Sequence, residues 1–275
     1  MTAPATSPMY WSLRRELWEN RFLYIAPLIV NAVVLLGSFL TVIALATKGV
    51  SVTKPFRMAP APIMLTTILV GMFYSLDALY GERRDRSILF WKSLPVSDRT
   101  TVISKAGIPL IVLPLFAFVL SVLTQVVLLV LSTPVLLGSG MSPVELFLDL
   151  HFFEGLLVML YGLTVHALWY APIYGWFMVI SAWARRAPFL WAILPLLAVS
   201  ALERIMFNST GFMHMLGYRM TGAMSTAFVP AESLDYLSQL TPGRFLSTPG
   251  LWAGLLFAAA CFAAAVRIRR YREPI

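Results

Sequence analysis

Long apolar runs recur along the chain and constrain its fold more than any other feature. An α-helix of 20 residues is about 30 Å long, which matches the hydrocarbon thickness of a bilayer. A helix also satisfies its own backbone polar groups in lipid. The runs therefore predict an all-α integral membrane protein, with a single transmembrane domain over residues 1–275. The six predicted spans are residues 22–47, 61–80, 107–131, 155–183, 188–202 and 250–266.

Charged residues are sparse and unevenly distributed. They make up 12% of the chain, whereas a soluble domain has roughly 25%. The net charge of +8 does not predict a nucleic-acid partner, because the cytoplasmic loops of membrane proteins collect Lys and Arg. Of the 21 Lys and Arg residues, 15 fall on one side of the predicted spans and 6 on the other. This bias predicts a multi-pass protein of the cytoplasmic (inner) membrane with both termini in the cytoplasm, and we expect no cleavable signal peptide.

The segment before the first span predicts an amphipathic helix. Residues 9–21 place their aromatic and leucine side chains on one broad helical face, with Arg14, Arg15 and Glu19 largely opposite. Such a helix lies in the membrane interface, in contact with lipid. It is either a simple anchor or a helix that also leans on the connection between the second and third spans.

The connection between the fifth and sixth spans is predicted to be a long external loop, over residues 203–249. Its middle is rich in Met and Gly and is too broken to span a membrane. A re-entrant pair of short helices and an extracellular lid both remain open, and loops of this length without a role are uncommon.

Motifs of enzyme chemistry are absent from the sequence. No GxxxxGK[ST] occurs, so we expect no nucleotide-binding domain in this chain, and HExxH, GxSxG and GxGxxG are also missing. The histidines His151, His166 and His214 fall in separate segments without ligand spacing, and the single cysteine, Cys261, lies in an apolar run. The sequence therefore predicts no metal site, no bound cofactor and no enzyme activity of the chain by itself.

A few polar residues fall in or at the ends of the apolar runs. An ionisable group at membrane depth is costly unless it is paired, so each one is a functional candidate. Asn31 and Gln125 fit interhelical hydrogen bonds, and Asp77 fits a paired position at the cytosolic interface. His166 fits either a satisfied core histidine or a substrate contact. These four residues are the candidates for a transport pathway.

The connection over residues 80–105 concentrates charge in an otherwise apolar chain. Its first part predicts a helix that continues the second span, with pairs such as Glu82 with Arg86 at i and i+4. Leu94 and Pro95 break that helix, and Ser97 or Asp98 caps the next one. The predicted result is a helix, a bend and a second helix, with apolar side chains presented at the bend. Such a surface either dips into the lipid interface or contacts another protein.

At this connection the sequence resembles the permease subunits of type-2 exporters of the ATP-binding-cassette (ABC) superfamily. The resemblance lies in an acidic residue after the second span, a Leu-rich helix, the sequence LPVS and a lysine before the third span, here Glu82, Leu89, residues 94–97 and Lys105. It implies that the connection is a cytosolic coupling helix that docks on a separate ATPase subunit, which binds ATP and Mg. It also implies a second permease copy, in a homo- or heterodimer, and substrate export driven by ATP. The implied docking residues are Glu82, Arg83, Asp85, Arg86, Leu89, Phe90, Trp91, Lys92, Leu94, Pro95, Val96 and Ser97.

Two other classes of function remain open from the residues alone. An ion-coupled secondary transporter could use Asp77, His166 or Glu203, although such proteins commonly contain internal repeats and none is visible here. A membrane scaffold could use the same connection without any transport. An intramembrane enzyme would need a polar cluster at one depth, which the sequence does not display.

Overall fold

The computed structural model describes residues 8–93, 96–229 and 237–271, with the side chains of residues 8 and 91–93 left out. Within these residues the secondary structure is helical, apart from one isolated bridge between Phe228 and Leu240. A π-helical turn, Ile108–Val112, joins the seventh and eighth α-helices. The α-helices are α1 (Pro8–Glu19), α2 (Phe22–Ala46), α3 (Thr53–Met58), α4 (Pro60–Asp77), α5 (Tyr80–Arg84), α6 (Ser87–Ser93), α7 (Asp98–Gly107), α8 (Leu113–Gly138), α9 (Pro143–Asp149), α10 (Phe152–Trp183), α11 (Pro188–Phe207), α12 (Gly211–Ala227), α13 (Pro242–Leu246) and α14 (Pro249–Tyr271).

Six helical segments among the described residues are long and apolar enough to cross a membrane, as predicted. Each predicted span overlaps one of them, and the fifth and sixth run further than expected, to Phe207 and Tyr271. The number and order of these segments are compatible with a multi-pass membrane protein. The six segments are Phe22–Ala46, Thr53–Arg84, Asp98–Gly138, Pro143–Trp183, Pro188–Phe207 and Pro249–Tyr271.

The core lies around α10, the longest helix, which packs against α4, α8 and α14. Trp169 and Tyr174 of α10 are fully buried. Along α14, small side chains let the two backbones approach closely, and a Cβ added at Gly175 would lie 3.1 Å from the Cβ of Cys261. By contrast, α2 and α11 expose most of their apolar side chains on the outside of the bundle.

The connection over residues 203–249 differs from the predicted external loop. Its described part contains the end of α11, the 17-residue helix α12 and the short helix α13. The carboxylate of Glu203 accepts hydrogen bonds from the N–H groups of Gly211 and Phe212, at 3.0 and 2.9 Å, and from Ser209 Oγ at 2.8 Å. Glu203 thus satisfies N–H groups that the start of α12 leaves free. The turn holds α12 as one helix, where the sequence indicated broken structure.

Candidate functional site

The chain between α4 and α6 changes direction earlier than the sequence predicts. α4 ends at Asp77, and α5 ends before Arg86, whose φ of 56° is left-handed. Ser181 Oγ on α10 accepts the backbone N–H groups of Leu79 and Tyr80, at 3.0 and 2.9 Å. These amides lie at the interruption between α4 and α5, so a side chain of α10 holds the break. The second span thus continues as a helical segment to Arg84, as predicted, but the helix ends at Asp85 and Arg86 and does not run on through α6.

Helix α6 has one buried side and one exposed side. Ile88 is 1% exposed, whereas Leu89 and Phe90 are 59% and 60% exposed. Two adjacent exposed apolar side chains on a short, anchored helix form a small contact surface, which we call the α6 surface. The side chains of Trp91 and Lys92 lie outside the described residues, as do Leu94 and Pro95.

Regular helical structure resumes at α7. Val96 is partly buried, and Ser97 has extended backbone, as a capping residue requires. Ser97 Oγ accepts the backbone N–H of Thr100 at 3.1 Å. Ser97 is therefore the N-cap of α7, one of the two residues predicted for that role.

The charged residues implied as docking groups divide into two sets. Asp85 and Arg86 are exposed beside the α6 surface. Glu82 and Arg83 are 7% and 1% exposed, so their side chains contact other helices of the chain and are not presented at the surface. The guanidinium of Arg83 donates to the backbone carbonyls of Ala182 and Ala184 at the end of α10. Arg83 thus fastens α5 to the C-terminus of α10, where carbonyl groups lack helical partners.

Glu82 is the centre of a buried group of charges that we call the charge cluster: Arg15, Glu16, Glu82, Asp98, Lys105 and Arg269. Glu82 contacts Arg15, Lys105 and Arg269 at 3.1, 3.3 and 3.0 Å. This differs from the predicted pairing with Arg86. Since the members belong to α1, α5, α7 and α14, the cluster joins four helices at one end of the bundle, the charged end.

The carboxylate of Glu16 completes the charge cluster on the side of α1. It lies 2.7 Å from Lys105 Nζ and 2.6 Å from Arg15 Nη2, and it accepts a hydrogen bond from Tyr74 of α4 at 2.8 Å. Burial alone raises the pKa of Glu16, but Lys105, Arg15 and the tyrosine hydroxyl outweigh this effect and lower it. The carboxylate is therefore ionised at neutral pH. The cluster thus pairs three basic side chains with three acidic ones, and the half-exposed Glu19 also contacts Arg15 at 3.5 Å.

Sequence reasoning found only part of the charge cluster. Glu82 and Lys105 were singled out and Asp98 was considered as a cap, whereas Arg15 was treated only as a charge of an amphipathic helix and Arg269 only as one of the 21 Lys and Arg residues. A signal was present for Glu16, because it follows Leu13 by three residues and precedes Leu17 by one. That spacing places a carboxylate on the apolar face of α1, where it needs a partner.

The polar residues predicted at membrane depth lie in separate places, each with neighbours of its own. Asn31 of α2 accepts a hydrogen bond from Thr124 of α8, as an interhelical contact. Asp77 lies 3.8 Å from Arg84 and is half-exposed, at the charged end. Gln125 lines a cavity of about 30 Å³ near α3 and α9, large enough for a water molecule. These three residues form no common site.

His166 is the fourth predicted residue and the most deeply buried. It lies on α10 and is 4% exposed. Its Nε2 atom is 3.3 Å from the carbonyl oxygen of Pro109 and 3.3 Å from the hydroxyl of Tyr174. Its Nε2 atom is therefore held by these two neighbours, whereas its Nδ1 atom is buried without a hydrogen-bond partner.

Comparison with known proteins gives no family for this arrangement. In the described residues, no group of three His, Cys, Asp or Glu side chains converges as a metal site would require. The two distinctive features are the α6 surface and the charge cluster, whose member Glu82 lies on α5, the helix that contacts α6. No family model, curated protein or solved structure matches this chain.

Proposed function

We propose that this chain is the permease subunit of a type-2 ABC exporter. It pairs with a second permease copy and with separate ATPase subunits, which bind ATP and Mg and supply the energy for export. The chain lies in the cytoplasmic membrane with both termini, and hence the charged end, in the cytoplasm. The bias of Lys and Arg supports this orientation. The resemblance of residues 80–105 to the permease subunits of type-2 ABC exporters supports this class of protein.

The observation that carries the proposal is the α6 surface. Leu89 and Phe90 are exposed on a helix that Ile88 anchors to the bundle. An exposed apolar pair on a fixed helix, flanked by charges such as Asp85 and Arg86, has the composition of a protein contact. The α6 surface is therefore the docking site for the ATPase, and it receives the movement that accompanies ATP binding.

The contacts beneath α6 support its role in transmitting that movement. Arg83 binds the end of α10, and Ser181 binds the start of α5, so a displacement of α5 and α6 acts directly on the central helix. Glu82 adds links to α1, α7 and α14 through the charge cluster. A ligand can shift a conformational equilibrium only through contacts that differ between its states. Docking at α6 provides such contacts for an ATPase that changes shape with its nucleotide.

An ion-coupled secondary transporter, the second candidate function, would use Asp77, His166 or Glu203, and the contacts of these residues do not favour it. Asp77 lies beside Arg84, His166 is held by Pro109 and Tyr174, and Glu203 holds the start of α12. Each of the three has a structural partner, and no observation brings them into one pathway.

The experiment compares Leu89→Asp with Leu148→Asp. Leu148 is a matched control because it is 65% exposed, is also a leucine on a short helix, and lies on α9, which follows the third span at the opposite end. The full-length chain is affinity-purified from native membranes, and co-purified proteins that carry a GxxxxGK[ST] loop are identified and quantified by mass spectrometry. We expect Leu89→Asp to reduce the recovered ATPase about tenfold or more, as for a buried interface residue, and Leu148→Asp to leave it unchanged. Equal recovery with both variants would overturn the proposed docking site.

A further inference from the structure

Two prolines five residues apart, Pro109 and Pro114, mark an irregular turn in the third span. The backbone N–H of Leu113 bonds to the carbonyl of Ile108, five residues earlier, as in a π-helix. In an α-helix that N–H would bond to the carbonyl of Pro109. The alternative π partner of Pro109 is residue 114, a proline without an N–H group. The sequence thus leaves the carbonyl of Pro109 without a helical donor.

The imidazole of His166 supplies the missing donor from another helix. Its Nε2 atom lies 3.3 Å from the oxygen of Pro109. A carbonyl only accepts, so we assign the hydrogen to Nε2 in this arrangement. A buried carbonyl without a partner is costly, so His166 stabilises the π turn from outside its own helix.

The π turn packs closely against α4, near the place where α4 also meets α10. A Cβ added at Gly71 of α4 would lie 3.1 Å from the Cβ of Pro109 and 3.3 Å from the ring of Tyr174 on α10. The close packing against α4 and the hydrogen bond to α10 both resist sliding of the turn along its neighbours. On one side of the turn, α7 carries Lys105 into the charge cluster, and on the other α8 continues as an apolar span.

We propose that the π turn Ile108–Val112 is a pivot in the third span, and that His166 is the positioning residue that holds it. The segment of α7 changes its angle to α8 at this turn, while His166 keeps the freed carbonyl satisfied. Helices bend at π turns and prolines because the regular ladder of hydrogen bonds is interrupted there. The pivot rests on the proposed function only for its driving force, which is the ATPase docked on α6.

The hydrogen bond to Pro109 is tested on the purified chain without any partner. We expect His166→Phe, which keeps a ring but removes the donor, to lower the equilibrium constant for folding about tenfold or more. His166→Gln retains an N–H donor and should recover most of that loss. Adding Pro114→Ala to His166→Phe should also restore stability, because residue 114 then has an N–H for the helix. Equal losses in His166→Phe and His166→Gln, with no recovery by Pro114→Ala, would overturn the role of His166.

Movement at the pivot is tested with spin labels in a Cys261→Ala background. One pair replaces the exposed residues Ile103 of α7 and Val119 of α8, and a control pair replaces Val119 and Val126, both on α8. With the ATPase bound, trapping its ATP-bound state should change the first distance but not the second. An unchanged first distance would overturn the pivot if the ATPase binds and transport continues. Failure of the wild-type chain to bind the ATPase would instead overturn the proposed function, and the partner-free hydrogen-bond measurement would still decide the role of His166.

Discussion

Replacing Glu82 by glutamine removes one charge from the middle of the charge cluster. Glu82 pairs with Arg15, Lys105 and Arg269 at 3.0–3.3 Å, and the side chains of Lys105 and Arg269 are only 3% and 4% exposed. Removing one partner of a buried ion pair costs about 3–5 kcal/mol, because the remaining charge is left uncompensated. Each cation still keeps another carboxylate, Glu16 or Asp98. We therefore expect the lower end of this range, about 3 kcal/mol of unfolding free energy.

Equilibrium unfolding in detergent micelles, followed by tryptophan fluorescence, measures this loss. Glu19→Gln is the matched control, because Glu19 is 49% exposed and contacts Arg15 at 3.5 Å from the next turn of α1. An exposed pair of this kind contributes about 0.3–0.5 kcal/mol. The double variant Glu82→Gln, Lys105→Met leaves two balanced pairs, so its loss should be smaller than the sum of the single losses. If Glu82→Gln were as stable as the control, Glu82 would not be needed to compensate the buried cations of the charge cluster.

Three further predictions concern other contacts. The folded state lowers the pKa of Glu16, so the contribution of this carboxylate to stability is complete above pH 4.5 and is lost as the pH falls through the lower folded pKa. Glu16→Gln should therefore flatten that part of a curve of unfolding free energy against pH. An unchanged curve would contradict the stabilising role of the Glu16 carboxylate. Gly254→Ala would place a Cβ where the guanidinium of Arg219 lies and displace this side chain, so hydrogen exchange in α12 should accelerate, whereas Gly37→Ala, with open space around it, should leave it unchanged. Arg83→Lys replaces the forked guanidinium, which binds two carbonyls through separate nitrogens, by a single ammonium, and it should cost about 1.5–3 kcal/mol in the same unfolding assay. A smaller loss than in an Arg84→Lys control would contradict the link to α10.

The number of spans could be predicted because a long apolar run has few other structures open to it in a membrane. The N-cap of α7 could be predicted for a similarly local reason, since Ser97 acts on the N–H of Thr100 three residues later. The helix α12 was missed because its start depends on Glu203, eight residues before Gly211 and on a different helix. Gly and Met in that segment indicated broken structure, but the Glu203 carboxylate binds N–H groups at the helix start and stabilises one helix.

The charge cluster could not be predicted as a whole because its members are far apart in the chain. Arg269 and Glu82 are separated by 187 residues, and no local pattern gives their contact. The interruption between α4 and α5 has a similar origin, since Ser181 of α10 binds the backbone N–H groups of Leu79 and Tyr80 there. Pairing of Glu82 with Arg86 was a reasonable local expectation, but a buried cluster with three cations outweighs one exposed pair.

Photo-crosslinking in native membranes shows which molecules contact the α6 surface, and hence whether an ATPase docks there. A photo-reactive amino acid replaces Phe90, which is 60% exposed, or Phe153, which is 71% exposed at the start of α10. Captured proteins are identified by mass spectrometry. We expect a protein with a GxxxxGK[ST] loop to be captured from Phe90 and not from Phe153. Capture of lipid alone from Phe90, or of the same proteins from both positions, would contradict it.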